Sequence, residues 1–164
     1  MSTEMLVSLI VMFIALLFTL FSKNSNNTKG KSAKWILLIE YVFLILCITI
    51  LSRRGYDSKG VNLVPFWSYS ATGEFGINMI AENVLNVILF IPFGFLIGFI
   101  IRFRKWKIAM IIGCALSITI ELLQLILRKG FCEFDDVFHN TLGCLIGYGL
   151  YILIVWCKRI LKKH

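Results

Sequence analysis

Long apolar runs with few charged residues constrain this chain more than any other feature. Five such runs occur, at about 5–21, 35–51, 77–101, 108–127 and 136–156. A helix of about 20 apolar residues spans the hydrocarbon core of a bilayer. In addition, 59% of all residues are hydrophobic and the mean hydropathy is +0.85, well above the values of soluble domains. The runs therefore predict an all-α membrane protein, a polytopic bundle of about five transmembrane helices.

The first run predicts a retained span rather than a secretion signal. Glu4 stands where a signal peptide carries basic residues, and no small-residue cleavage site precedes Lys23. No internal repeat or low-complexity linker divides the chain. Residues 1–164 are therefore predicted to form a single transmembrane domain.

The segment between the second and third runs, residues 55–76, differs from the other connections. It contains Asn62-Leu-Val-Pro65-Phe66-Trp67, and its proline and aromatic residues favour a re-entrant or interfacial stretch over a full crossing.

Two pairs of glycines, Gly94 with Gly98 and Gly143 with Gly147, form small-xxx-small motifs that let helices approach closely. The motifs are compatible with packing inside one chain or between two copies. Pro92, within the third run, predicts a kink nearby.

The distribution of basic residues predicts the orientation, because cytoplasmic loops carry the excess of Lys and Arg. Twelve of the 17 flank the runs on one side and five on the other. The twelve are Lys23, Lys29, Lys31, Lys34, Arg102, Arg104, Lys105, Lys107, Lys158, Arg159, Lys162 and Lys163. We therefore expect a multi-pass protein with its N-terminus outside and its C-terminus in the cytoplasm. Membrane topology explains the net charge of +8 better than nucleic-acid binding does, since no aromatic residues interleave with the basic blocks.

Polar side chains interrupt the last three runs on one face of each helix. Glu121, Gln124 and Arg128 fall at i, i+3 and i+7, and Asp136 and Asn140 at i and i+4. Unpaired carboxylates and amides in hydrocarbon are costly, so these faces should point at each other and not at lipid. With the predicted orientation they converge at the outer ends of the helices. The expected ligand-binding set is Asn83, Asn86, Glu121, Gln124, Arg128, Asp136 and Asn140.

Each of these residues also has a structural interpretation. Glu121 is either a protonated or hydrogen-bonded link between helices or a carboxylate that contacts ligand, and the amides either join helices or meet a head group. Asp136 is either the N-cap of the fifth helix or a second functional acid. Glu121 and Asp136 are the candidate catalytic residues if the protein is an enzyme. His139 lacks neighbouring ligands, so we expect neither a metal site nor a cofactor.

Four sequence blocks resemble the VanZ-like membrane proteins, in the same order along the chain. They are Asn62-Leu-Val-Pro-Phe66, Asn83-Val-Leu-Asn-Val-Ile-Leu-Phe-Ile-Pro-Phe-Gly94, Glu121-Leu-Leu-Gln124 and Asp136-Val-Phe-His-Asn140-Thr-Leu-Gly143. The resemblance implies a small protein of the bacterial plasma membrane, in a family whose named member is associated with resistance to teicoplanin and related lipoglycopeptides. The chain departs from the family at Glu133, where an aspartate is common.

Two main functions follow as hypotheses. The first is a binder that lowers susceptibility to lipoglycopeptides through an outward-facing polar pocket for an amphipathic ligand. Its expected partners are membrane lipids and either the antibiotic or a lipid-linked peptidoglycan precursor. The alternative is a membrane-embedded enzyme acting on lipid or lipid-linked head groups, with Glu121 as general base. No nucleophile–base pair or phosphate-binding loop in the sequence supports catalysis, and the lack of an inverted repeat disfavours a transporter.

Overall fold

A computed structural model describes residues 28–51, 60–70, 72–101 and 105–162. Its long helices are α1 (Thr28–Leu46), α2 (Gly73–Ile101), α3 (Trp106–Ile126) and α4 (Phe134–Leu161). A π-helical turn, Cys47–Leu51, extends α1, and a 3-10 turn, Trp67–Ser70, precedes α2. Two short strands, β1 (Val61–Asn62) and β2 (Cys132–Glu133), complete the described elements.

Four described segments are long and apolar enough to cross a membrane: Lys34–Leu51, Gly73–Ile101, Trp106–Ile126 and Phe134–Leu161. They correspond to the last four of the five predicted spans. The predicted first span, 5–21, lies outside the described residues. The predicted starts at residues 77 and 136 were too late, because α2 and α4 begin in the polar sequence that precedes each apolar run. Apolar side chains on the outer surface of the helices, such as Ile39, Phe43 and Ile111, are more than half exposed, as a lipid-facing surface requires.

Helices α2 and α4 run parallel and form the most extensive helix contact among the described elements. Cβ atoms built on Gly143 and Gly147 would lie 2.2 and 1.8 Å from the carbonyl oxygens of Val87 and Ile91. The two backbones therefore approach so closely that only glycine fits at these positions. The small-xxx-small motif of α4 packs within the chain.

The glycines of α2 also face α4. A Cβ on Gly94 would lie 1.9 Å from the carbonyl oxygen of Cys144, and one on Gly98 would lie 2.5 Å from the ring of Tyr151. Pro92 lies within α2, which continues as one helix to Ile101.

Helices α1 and α3 run opposite to α2 and α4. The Tyr41 hydroxyl of α1 donates to the Leu89 carbonyl of α2 at 2.8 Å, and the Lys34 ammonium lies 5.6 Å from the centre of the Phe99 ring. At the start of α3, the Tyr148 hydroxyl of α4 accepts a hydrogen bond from the Lys105 amide at 2.8 Å. The alternating directions bring the end of α1, the start of α2, the end of α3 and the start of α4 to one end of the bundle. We call this the loop end.

The two described connections at the loop end are joined to each other. Strands β1 and β2 pair in parallel, with Val61 opposite Cys132 and Asn62 opposite Glu133. The Cys132 amide also donates to the Gly60 carbonyl at 3.0 Å. This pairing holds the segment before α2 against the turn between α3 and α4. The predicted re-entrant or interfacial character of that segment stays a prediction.

Candidate functional site

Asp135, in the first turn of α4, is the centre of the polar contacts at the loop end. Its side chain is 1% exposed. One carboxylate oxygen, Oδ1, accepts from the Phe66 amide at 2.6 Å, while Oδ2 accepts from the Ser68 amide at 3.2 Å and from the Ser68 hydroxyl at 2.5 Å. Hydrogen bonds to an ionised acceptor are about twice as strong as those between neutral groups. Asp135 therefore fastens the turn before α2 to the start of α4.

The fastened turn has an unusual backbone conformation. Phe66 has a φ of 59°, in the left-handed region that bulky side chains rarely occupy. The buried Asn83 side chain of α2 adds a third element to the junction by donating to the Ser68 hydroxyl at 2.9 Å. The contacts from Asp135 and Asn83 offset the cost of this conformation.

A second contact between the same turn and α4 runs through His139. The Tyr69 hydroxyl lies 2.8 Å from His139 Nε2, and His139 Nδ1 lies 2.6 Å from the Asp135 carbonyl oxygen. A carbonyl can only accept, so Nδ1 carries a proton, and in the tautomer with its proton on Nδ1 the Nε2 atom accepts from the Tyr69 hydroxyl. His139 is therefore a buried hydrogen-bonding residue that joins the turn to α4.

Asp136 is not the N-cap of α4. The helix begins at Phe134, two residues before the predicted start, and Glu133 is the N-cap residue, without a side-chain capping bond. Asp136 lies inside the first turn, where the positive end of the helix dipole favours a carboxylate. Its Oδ1 accepts from the Asn86 side chain of α2 at 2.8 Å.

Glu121, near the end of α3, is 1% exposed and contacts the strand before α4. Its Oε2 accepts from the Glu133 amide at 3.0 Å. The carboxylate therefore satisfies one of the amides that a helix start leaves without an internal partner. This contact connects α3 to β2, the strand that leads into α4.

Two amide side chains complete the interior of the site. Asn140 donates to the Ser117 hydroxyl of α3 at 2.8 Å. Gln124 donates to the Thr49 carbonyl, in the π-helical turn that ends α1, at 3.0 Å. The other amide oxygens, Asn140 Oδ1 and Gln124 Oε1, are buried and have no hydrogen-bond partner among the residues that the structure describes. Because amide oxygens are strong acceptors, both retain capacity for a donor.

Arg128 does not share the face of Glu121 and Gln124. Helix α3 ends at Ile126, and Arg128 follows in an exposed turn with a φ of 55°. The Lys129 amide bonds back to the Gln124 carbonyl at 2.8 Å, so the chain leaves the helix before the third predicted position. The interpretation of Arg128 as part of a continuous helical face was wrong, because it assumed that the helix continued.

The pKa of the Cys132 thiol reflects the acidic side chains of this region. Burial raises the pKa of Cys132 above its ordinary value of 9.0, and the negative charges of Glu121, Asp136 and Glu133 raise it further. Within the described part of the chain, no group of three or more His, Cys, Asp or Glu side chains is arranged to hold a metal ion.

All seven residues of the expected set thus lie at the loop end, six of them on α2, α3 and α4 and Arg128 in the turn that follows α3. Sequence reasoning did not include Asp135, Ser68, Tyr69, Ser117 or Thr49 among the site residues. Ser117 lies four residues before Glu121, so a longer helical face would have found it. Ser68 and Tyr69 directly follow the Asn62–Phe66 block. Thr49 contributes its backbone carbonyl to Gln124, which no side-chain pattern reveals.

Four apolar helices with buried polar residues joined at one end define a multi-pass helical membrane protein. The family model VanZ/LLP1 matches residues 5–155. "Protein VanZ" of Enterococcus faecium is 37% identical over 120 residues, which cover 71% of this chain and 67% of that protein. No solved structure matches. The chain belongs to the VanZ/LLP1 family, which confirms the resemblance read from the four sequence blocks.

Proposed function

We propose that this protein lowers the susceptibility of a bacterial cell to teicoplanin and related lipoglycopeptides by binding an amphipathic ligand at the loop end. The ligand is the lipid-bearing antibiotic or a lipid-linked cell-wall precursor. Membership of the VanZ/LLP1 family supports the resistance phenotype, because the named member of the VanZ-like proteins is associated with it.

The observation that carries the proposal is the direct attachment of an exposed apolar turn to a buried polar network. Leu63, Val64 and Phe66 are 67%, 62% and 47% exposed. Two residues later, Ser68 bonds to Asp135 within the polar network. An amphipathic molecule needs an apolar surface and hydrogen-bonding groups side by side, and the loop end supplies both.

The amides inside the loop end are the groups with which a polar head group would bond. Gln124 and Asn140 each carry an amide oxygen without a partner, so each can accept from a donor on the ligand. Asn83, Asn86, Glu121 and Asp136 hold the surrounding helices and turn in place through their own bonds. Arg128, exposed at the rim, is suited to meet an anionic group.

The proposed orientation places the loop end outside the cell, with the N-terminus outside and the C-terminus in the cytoplasm. The basic blocks at residues 102–107 and 158–163 flank the opposite ends of α2, α3 and α4, which supports this direction. An extracytoplasmic loop end is where a lipoglycopeptide or a lipid-linked precursor would reach the protein.

The test is a susceptibility comparison in a sensitive host that expresses the wild type or the double variant Leu63→Ser/Val64→Ser. Both side chains are exposed, so the substitutions should leave the packed interior intact. We expect the wild type to raise the inhibitory concentration of teicoplanin, with little change for vancomycin, and the double variant to lose most of this effect. Glu82→Gln, an exposed carboxylate on α2, is the control and should retain the effect.

Protein abundance in the membrane fraction must be equal for the three proteins. If the wild type raises neither inhibitory concentration, or the double variant protects as well as the wild type, the proposal fails. A selective effect that survives in the double variant would mean that the ligand is bound elsewhere.

A further inference from the structure

Exposed aromatic rings surround the polar contacts at the loop end. Phe66, Tyr69 and Phe138, with His139 behind them, form what we call the aromatic cluster. Ring centres are 5.1 Å apart for Phe66 and Phe138, 6.2 Å for Phe66 and Tyr69, and 5.3 Å for Phe138 and His139. The first three side chains are 47%, 51% and 39% exposed, whereas His139 is 4% exposed. Phe66, Tyr69 and Phe138 therefore each expose part of an aromatic ring outside the bundle, and the face of such a ring attracts a cation.

The hydrogen-bond direction at His139 decides what the Tyr69 oxygen can do. Because the Asp135 carbonyl requires Nδ1 to donate, Nε2 in that tautomer accepts a hydrogen bond from the Tyr69 hydroxyl. The Tyr69 oxygen then has only acceptor capacity left for an outside group. A ligand at the exposed hydroxyl must bring an N–H or O–H donor.

The charge beneath the cluster has the sign that suits a cation. Asp135 and Asp136 lie in the first turn of the helix that carries Phe138 and His139. The Asp135 carboxylate accepts hydrogen bonds from two backbone amides and one hydroxyl, which carry no compensating positive charge. The negative charge of that carboxylate outweighs the roughly half positive charge of a helix N-terminus. The local field should therefore attract a positive group to the rings.

We propose that the aromatic cluster binds a primary ammonium group, with its charge against the rings and one N–H donated to the Tyr69 oxygen. A quaternary ammonium would contact the same rings but has no N–H to donate to the Tyr69 oxygen. The site should therefore prefer the primary amine. The source is either the head group of an amine-bearing phospholipid or an amine on the amphipathic ligand. The inference rests on the proposed function in treating the loop end as a ligand site, but its test measures binding and not susceptibility.

The experiment uses the full chain in nanodiscs of phosphatidylglycerol, which contains no amine. Dihexanoyl phosphatidylethanolamine and dihexanoyl phosphatidylcholine are the probes, with binding followed by isothermal titration calorimetry. We expect the ethanolamine lipid to bind about tenfold more tightly, the size of one hydrogen bond to a charged group. Equal affinities for the two lipids would overturn the proposal.

Single-residue variants test which side chains produce the preference for the ethanolamine lipid. Tyr69→Phe keeps the ring and removes the acceptor, so the affinity ratio should fall to about one. Tyr151→Phe changes a tyrosine that packs beside Gly98, away from the loop end, and should keep the ratio. Phe138→Leu should lower the affinity for both lipids about threefold, since each lipid loses a contact with an aromatic ring. A tenfold preference that persists in Tyr69→Phe would refute the role of the hydroxyl and with it the proposal.

A competition experiment separates the two sources of the amine. Teicoplanin that displaces the ethanolamine lipid from the wild type, and binds more weakly to Tyr69→Phe, would assign the ammonium to the antibiotic. Lipid binding without displacement would assign it to the membrane. If the preference for the primary amine holds but no variant changes susceptibility, the proposed function fails while the ammonium site stands.

Discussion

A single methyl group added to Gly147 should separate two helices. The Cβ of an alanine there would lie 1.8 Å from the Ile91 carbonyl oxygen and 2.8 Å from the Phe95 amide nitrogen. Both are backbone atoms, so no side-chain rotation relieves the clash. Gly149, two residues further along the same helix, has nothing within 4 Å of an added Cβ. The two glycines therefore form a matched pair for one substitution.

The expected magnitude follows from the geometry. Ordinary contact begins at 3.4 Å, so α2 and α4 must move apart by more than 1 Å at Gly147. Overpacking costs about 1–3 kcal/mol when side chains can adjust, and we expect a loss of about 3 kcal/mol because they cannot. Gly149→Ala should instead stabilise the helix by up to about 1 kcal/mol, since alanine is the better helix former.

The measurement is the free energy of unfolding of both variants and the wild type by titration with sodium dodecyl sulfate from mild detergent micelles. Circular dichroism reports helix content during the titration. Gly147→Ala should unfold at a lower fraction of dodecyl sulfate than the wild type, and Gly149→Ala at the same or a higher fraction. If the two alanine variants unfold together, the close contact between α2 and α4 is refuted.

Two further predictions concern the loop end. Asp135→Asn places an amide donor against a backbone N–H and should weaken the hydrogen bonding of residues 66–68 by about 2 kcal/mol. Amide hydrogen exchange at these positions should therefore accelerate roughly 30-fold. Glu82→Gln is the control, and unchanged exchange in Asp135→Asn would contradict the role of that carboxylate. Alkylation of Cys132, followed by peptide mass spectrometry, should have its pH midpoint above 9.0, because burial and neighbouring acids raise the pKa of the thiol. Glu133→Gln removes one negative charge and should lower that midpoint, and a midpoint that stays the same or rises would argue against the electrostatic effect.

Helix identity and the family were predictable because each rests on short-range information. An apolar run of sufficient length must form a helix in a membrane, since hydrocarbon offers its backbone no other hydrogen-bond partner. The glycine spacing of α4 likewise predicted a close helix contact, and the structure shows that contact inside the chain with Val87 and Ile91. The end of α3 was harder to predict, because Leu127 continues the apolar pattern while the backbone turns at Arg128.

The polar faces of the last three helices could be identified from the sequence, but their bonding partners could not. Helical spacing assigns Glu121 and Gln124 to one face whatever the neighbours are. Only the tertiary structure decides that Glu121 accepts from the backbone of Glu133 and that Gln124 reaches the backbone of Thr49. Backbone acceptors and donors are present at every residue, so no residue type marks which of them is used.

Apolar length, composition and helical periodicity are properties of contiguous residues, and they were enough to identify the four described membrane-spanning helices, the family and the polar faces. The folded chain was needed to show that Asp135 bonds to Ser68, 67 residues away along the sequence, and that the Tyr69 hydroxyl pairs with His139. Hydrogen bonds between distant segments depend on how the helices pack, and here the packing brings the connections together at one end of the bundle.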